Sequence, residues 1–175
     1  MRTEYLLNRE VENVLSALTP TNALVMRVAL HTGLRIGDIL ALKTDQLKSN
    51  FWIRESKTGK SRQVGLPEPL LTDLKERAGQ IWCFESKRTG KPHTRQAVWR
   101  DVKRAAKAFR LPQNVAPHSA RKVYAVELLA KYGEIAKVKK ALNHSSEAVT
   151  MIYAMADRLL ATKRRHRAAP GRRYV

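Results

Sequence analysis

Apolar residues recur at helical spacing along most of the chain. Val11, Val14, Leu15 and Leu18 share one face of a helix for which Asn8 is the candidate N-cap, and Thr19-Pro20 closes that helix and opens the next. The second helix turns Leu24, Val28 and Leu30 inward, and Gly33 is placed as its C-cap. Arg35 then falls in or just after a tight corner, and residues 36–43 read as another short helix. Residues 51–54 and 62–66 break the helical spacing and read as two short strands. Thr58-Gly59-Lys60 lies in the loop between them, a hairpin signal that puts Lys57 at the rim.

Helical spacing returns over 67–78, with Leu70, Leu71 and Leu74 inward, and residues 81–84 are expected to form a short strand before a polar, basic loop at 85–94. Thr94 is positioned to cap a helix over 95–109, in which Val98, Val102, Ala105 and Phe109 line one face while Arg95, Arg100, Lys103, Arg104 and Lys107 occupy the others. After Pro117 a helix carries Val123, Val126, Leu129 and Ala130 as far as Tyr132-Gly133. Another spans 135–142, and Ser145 or Ser146 is placed to cap a last helix bearing Tyr153. Past Asp157 the chain becomes densely basic and loses its periodicity at Ala168-Ala169-Pro170-Gly171. The pattern therefore predicts one α+β domain over 1–162, mainly helical with a small antiparallel sheet, and a basic tail over 163–175.

A chain of 175 residues can bury a sizeable core without disulfides. Its 34 Lys and Arg against 15 Asp and Glu give a formal charge of +19, an excess whose self-repulsion calls for a polyanionic partner. Nucleic acid fits better than a membrane surface, because the basic residues are interleaved with a globular apolar pattern and do not form one amphipathic, lysine-rich segment. The basic faces of the 95–109 helix accordingly have two readings, a surface beside a DNA groove or a solvated face. No apolar run is long enough to span a membrane and MRTEYLLNRE lacks the apolar block of a signal peptide, so a cytoplasmic protein is expected. The single cysteine, Cys83 in IWCF, cannot form an internal disulfide and reads as a small buried hydrophobe.

The chemistry concentrates in VAPHSARKVYAVELLAKYGEIAKVKKALNHSSEAVTMIYAMAD, residues 115–157. His118 and Arg121 stand three apart at the start of a helix and can share a face, while His144 and Tyr153 follow nine apart. HTGLRIGD at 31–38 adds Arg35, and SKTGK at 56–60 adds Lys57, with Lys60 as its rival. A hydroxyl that attacks, guanidinium groups that hold a phosphate bidentately and imidazoles that share protons are what a metal-free phosphodiester chemistry requires. Each residue also has an ordinary reading: an Arg35–Asp38 surface ion pair, a solvated lysine, structural histidines, and a core tyrosine on a face shared with Val149 and Ala156.

Taken in order, Arg35, Lys57, His118-x-x-Arg121, His144 and Tyr153 resemble the catalytic set of the tyrosine recombinases, the phage integrase family. TGLRIGDIL resembles its first arginine box, PHSARKVYA with ALNHSSEAVTMIY its second, and the likeness runs from about Asn8 to Tyr153. The resemblance implies a site-specific DNA recombinase or integrase of the family's catalytic-domain fold, with Tyr153 as nucleophile of a 3′-phosphotyrosine intermediate. Arg35, Arg121 and His144 would face the non-bridging oxygens, Lys57 would be the general acid and His118 would assist proton transfer. Asp38 is expected to buttress the arginines. The resemblance also implies no metal or nucleotide cofactor, a homotetramer on double-stranded DNA in the nucleoid, accessory DNA-bending proteins, and Leu159 and Leu160 docking on a neighbouring protomer where a loose basic tail is the other reading. A type IB topoisomerase-like enzyme or a non-catalytic DNA-binding regulator would share the fold. Two departures stand out. The chain starts almost at the catalytic domain, as in the short fimbrial-switch invertases or an excised fragment, and LNH replaces the commoner LGH before His144.

Overall fold

The computed structural model describes residues 4–86 and 88–142. In chain order the elements are α1 (Asn8–Ala17), α2 (Pro20–Thr32), α3 (Ile36–Leu40), β1 (Asn50–Arg54), β2 (Ser61–Gly65), α4 (Glu68–Arg77), α5 (Arg95–Ala108), α6 (Pro117–Tyr132) and α7 (Ile135–Leu142). The segment ALVMRVAL in α2 is apolar almost all round, which suits an interior helix and not a surface one. Accordingly Leu24, Val25, Met26, Val28 and Ala29 are all buried, and α1, α3, α4, α5 and α6 pack around α2. α1 and α5 are amphipathic and present Val11 with Val14, and Val98 with Val102 and Ala105, to the same core.

β1 and β2 pair antiparallel with Phe51 opposite Val64 and Ile53 opposite Arg62. Phe51, Ile53 and Val64 point into the core and Trp52 points outward. Ala125, Val138 and Leu142 form a smaller cluster, with Tyr124, Leu128 and Leu129, that lays α7 against α6. Gly33 ends α2 at φ +63°, and a Cβ there would lie 2.3 Å from the Tyr124 ring, so both backbone conformation and space exclude a side chain.

Several local expectations are corrected. Asn8 is the first helical residue and Leu7 precedes it, its amide donating to the Glu10 carboxylate at 2.7 Å. The helix after Arg35 stops at Leu40. Residues 81–84 form no strand: Glu85 accepts from the Ile81 and Trp82 amides at 3.0 and 3.2 Å, and only isolated bridges link Lys43 to Trp82 and Glu85 to Pro92. A side chain thus supplies the acceptor that a neighbouring strand would have supplied. Phe109 lies past the end of α5 and is 41 % exposed, and Ala130 is exposed too. Thr94 does cap α5, accepting from the Ala97 amide at 3.2 Å, and Cys83 is buried, its thiol pushed up to about 12 by desolvation. Among the described residues no helix is long and apolar enough to cross a membrane.

Asp101 of α5 joins this helix to the α1–α2 corner. Its Oδ2 accepts from the Thr19 amide and hydroxyl, both at 2.9 Å, and from Asn22 Nδ2 at 2.7 Å, while Oδ1 accepts from Arg104 Nε and Nη2 at 3.0 and 2.6 Å. Burial opposes the charge, but the bonds from Asn22, Thr19 and Arg104 prevail and hold its pKa down at about 2. A carboxyl depressed on folding stabilises the native state above its unfolded pKa and ceases to do so as pH falls through the folded value. The stabilisation from Asp101 is therefore complete above about pH 4 and lost between about pH 4 and about pH 2. Asp101→Asn is expected to lower unfolding free energy at pH 7 by roughly 1–3 kcal/mol and to flatten that acid limb, as read by urea denaturation at a series of pH values.

Candidate active site

The corner that follows Gly33 aims Arg35 away from the core. Arg35 takes the extended N-cap position of α3, and its carbonyl accepts from the Asp38 and Ile39 amides at 2.9 and 3.0 Å. Its side chain is 20 % exposed, and Nη1 donates to Glu55 Oε2. Asp38, expected to buttress the arginines, forms no ion pair with Arg35, though its charge favours that of Arg121. It is buried and its Oδ1 accepts from Ser56 N at 3.0 Å and Ser56 Oγ at 2.6 Å, which ties α3 to the hairpin turn. Its Oδ2 has no hydrogen-bond partner among the described residues.

The hairpin carries Lys57 in the turn between β1 and β2. The Glu55 amide donates to the Lys60 carbonyl at 3.0 Å and the Gly59 amide to the Glu55 carbonyl at 2.9 Å, with Gly59 at φ +67°. Lys57 and Lys60 are both exposed, but of the two only the Lys57 charge contributes to the low pKa of His118. Glu55 follows Phe51 and Ile53 on the inward face and is fully buried. Its Oε1 accepts from Arg62 Nε at 3.1 Å.

α6 opens at Pro117, whose missing N–H costs nothing at a first helical position. His118 and Arg121 sit in its first turns and diverge in burial: His118 is exposed, whereas Arg121 is 3 % exposed. Arg121 donates through Nη1 to the Gly33 carbonyl and through Nη2 to the Leu142 carbonyl, the latter at 2.6 Å. Arg62 does the same one residue earlier on each helix, Nη2 to the Thr32 carbonyl at 2.9 Å and Nη1 to the Ala141 carbonyl at 2.5 Å. Two guanidinium groups thus bridge the end of α2 and the last described turn of α7, binding backbone carbonyls of both.

Arg35, His118 and Arg121 line one open cleft of about 880 Å³, together with Arg95, Trp99 and Arg100 of α5. His118 keeps solvent access at the mouth, yet its ring has lost enough water to the surrounding protein for desolvation to be the largest influence on it. Arg121, Lys122, Arg35 and Lys57 act in the same direction, and its pKa is pushed down to about 4. At neutral pH it is an uncharged imidazole that can donate and accept. Burial and then the charge of Arg35 lower Arg121 to about 10, Glu55 opposing them, so this guanidinium stays protonated. A cleft with fixed cations and a neutral imidazole suits a phosphodiester, whose two non-bridging oxygens accept forked donors.

The two readings of the basic α5 each hold for part of it. Arg95, Trp99 and Arg100 face the cleft, whereas Lys103 donates to Asn114 Oδ1 at 2.5 Å and lies 5.7 Å above the Trp99 ring, and Arg104 pairs with Asp101. Glu55 and Arg62 are the site residues that motif reading missed. The signal was there in the alternation of FWIRE and SRQVG, which sets Glu55 on the face of Phe51 and Ile53, and Arg62 on that of Val64. Asn143, His144, Ser145, Ser146, Tyr153, Leu159, Leu160 and the tail at 163–175 lie outside the described residues. Among the described residues no three His, Cys, Asp or Glu side chains converge as a metal site would need.

Comparison with known proteins bears on the whole arrangement. The profile of the phage integrase family matches residues 4–158. The chain is 34% identical over 134 residues to the probable integrase/recombinase YoeC of Bacillus subtilis, covering 73% of this chain and 74% of that protein. It is 29% identical over 140 residues to tyrosine recombinase XerA of Pyrococcus furiosus, covering 74% of this chain and 48% of that one. Its fold is shared with a crystal structure of XerA recombinase, at a TM-score of 0.71 and 24% identity over 93% of this chain and 64% of that one. It is shared also with a lambda integrase (75-356) dimer bound to a COC' core site, at 0.75 and 22% over 87% and 59%. The chain spans about half the length of several tyrosine recombinases that it matches. Because the family profile extends over nearly the full chain and takes in both arginine boxes, the chain belongs to the phage integrase family, the tyrosine recombinases.

Proposed function

We propose that residues 1–162 are the catalytic domain, and residues 163–175 a basic DNA-contacting tail, of a site-specific DNA recombinase that cuts and rejoins strands through a covalent 3′-phosphotyrosine. The observation that carries this reading is the cleft in which Arg35, His118 and Arg121 meet, although 83 and 86 residues separate Arg35 from the other two. The Tyr153 hydroxyl would attack the scissile phosphorus, forming a P–O bond to the phenol as the bond to the 5′ oxygen breaks. The phenolic proton would leave with help from His118, uncharged at neutral pH, and the 5′ oxygen would take a proton from Lys57. Arg35, Arg121 and His144 would offset the charge that builds on the non-bridging oxygens, one such preorganised donor being worth roughly 3–4 kcal/mol. A 5′ hydroxyl from a partner strand would then reverse the step and release Tyr153.

Double-stranded DNA is the substrate that this charge and cleft suit. Among proteins of the same fold, lambda integrase is seen as a dimer on a core site and as a tetramer on a Holliday junction, and XerH is seen on its difH substrate. By likeness, this chain would act as a homotetramer on DNA, in the cytoplasm and at the nucleoid, with accessory DNA-bending proteins assisting the assembly. A nicked duplex from the DNA flanking the gene, resolved under denaturing conditions, tests for the covalent adduct. Joints formed between two sites separate a recombinase from a nicking-closing topoisomerase.

Tyr153→Phe removes one oxygen and keeps the ring, so DNA binding should persist while the adduct disappears. An adduct that survives Tyr153→Phe and is lost in Tyr124→Phe or Tyr174→Phe would move the nucleophile. Lys57→Ala should slow cleavage of ordinary DNA by about 10²–10⁴-fold. It should regain most of the rate when sulfur replaces the bridging 5′ oxygen, because a thiolate, with a conjugate acid near about 8.5, leaves without that proton. Arg35→Ala and Arg121→Ala should not regain it. If Lys60→Ala is the variant rescued, Lys60 is the acid. Imidazole NMR should show His118 titrating near 4 in the free protein and at higher pH with a duplex oligonucleotide bound, since phosphates offset the surrounding cations. A midpoint above the ordinary histidine value in free protein would contradict the geometry of the cleft.

A further inference from the structure

We infer that Glu55 is a positioning residue that holds the Arg35 guanidinium in the orientation required at the scissile phosphate, an inference that rests on the recombinase reading above. Glu55 is completely buried, and its two oxygens are divided between arginines of different standing. Oε1 accepts from Arg62 Nε at 3.1 Å, and Arg62 is itself fixed by the Thr32 and Ala141 carbonyls. Oε2 accepts from Arg35 Nη1 and lies 3.4 Å from Thr58 Oγ1. One end of this chain of contacts is thus anchored in the backbone of α2 and α7, and the other end is the partly exposed arginine of the cleft.

The physical need for such an anchor follows from crowding. Arg35, Arg62 and Arg121 come together, and the charges of Arg35 and Arg62 both act on Arg121 while Glu55 opposes them. A guanidinium is a planar fork on a flexible stem, so fixing one Nη nitrogen sets the direction of the donors that remain. Without Glu55, Arg35 keeps its charge and loses its direction, and its nearest cationic neighbours push it outward towards solvent and DNA. Phosphate attraction survives such a change; the alignment that stabilises the transition state does not.

Glu55→Gln separates these effects. The test measures single-turnover adduct formation by the full chain on a saturating nicked duplex drawn from the gene's flanking DNA. Affinity for the same duplex is measured in a Tyr153→Phe background, and each rate is divided by the folded fraction from circular dichroism. Cleavage is expected to fall by about 10–100-fold, the usual effect of a misplaced group, while DNA affinity stays equal or tightens because a negative charge has gone. In an Arg35→Ala background the same substitution should change the cleavage rate by less than about threefold, since coupled residues are not additive. Bridging sulfur should leave the Glu55→Gln defect in place, as the Arg35 contact is to non-bridging oxygens. Equal losses in the wild-type and Arg35→Ala backgrounds, a parallel fall in affinity and cleavage, or rescue by sulfur would each overturn the inference. If Glu55→Gln does not fold, Glu55→Asp, which keeps the charge and withdraws it by one methylene, takes its place with the same expected split. A wild-type protein that forms no adduct would instead remove the recombinase reading on which the inference stands. Wild-type adduct with undiminished Glu55→Gln cleavage would remove the inference alone.

Discussion

The end of α2 and the last described turn of α7, bridged by two arginines, are the constraint around which the site is built. The Thr32 carbonyl at the end of α2, the Gly33 carbonyl after it, and the Ala141 and Leu142 carbonyls of α7 accept from arginines, as partial negative charges near a helix end favour. Arg62 and Arg121 satisfy them in parallel, one binding Thr32 and Ala141, the other Gly33 and Leu142. Burying a guanidinium is costly unless its donors are engaged, and here carbonyls and a carboxylate engage them. Gly33 makes the close approach possible, because any side chain there would collide with Tyr124. Arg121 therefore belongs to the framework as well as to the cleft. Its substitution is expected to disturb both, unlike that of the more exposed Arg35.

The same bracing brings like charges together. Arg35, Arg121, Arg95 and Arg100 share a cleft, and desolvation, with the charges of Arg121, Lys122, Arg35 and Lys57 acting in the same direction, keeps His118 uncharged at neutral pH. Such an arrangement is held against its own repulsion by the packing of α2 with α6 and by the buried carboxylates of Glu55 and Asp38, both of which favour the charge of Arg121. A bound phosphate would lower that repulsion, so the site's electrostatic balance is complete only with its polyanion in place. The relation between charge and fold is then reciprocal: the core forces the cations together, and their convergence gives the cleft its positive lining.

Much of this was legible in the linear pattern. Helical spacing, Gly33, Thr94, Pro117 and Gly133 placed the helices to within a few residues, because caps and turn residues act through local backbone chemistry. The ordered motif residues identified the family for the same reason, since each is tied to a short stretch of local wording. The absence of a strand at 81–84 was not legible, because Glu85 supplies its hydrogen bonds from a side chain four residues on. Nor was the partner of Arg35. Spacing suggested Asp38, which binds Ser56, whereas the acceptor proved to be Glu55, twenty residues away. By itself the sequence determined the family, the order of its motif residues and most of the helix positions. Only the tertiary structure decided which of them share a cleft, which cations are buried against helix ends, and which carboxylate holds them. Those outcomes depend on desolvation and on contacts between segments remote in sequence, and neither is written into local pattern.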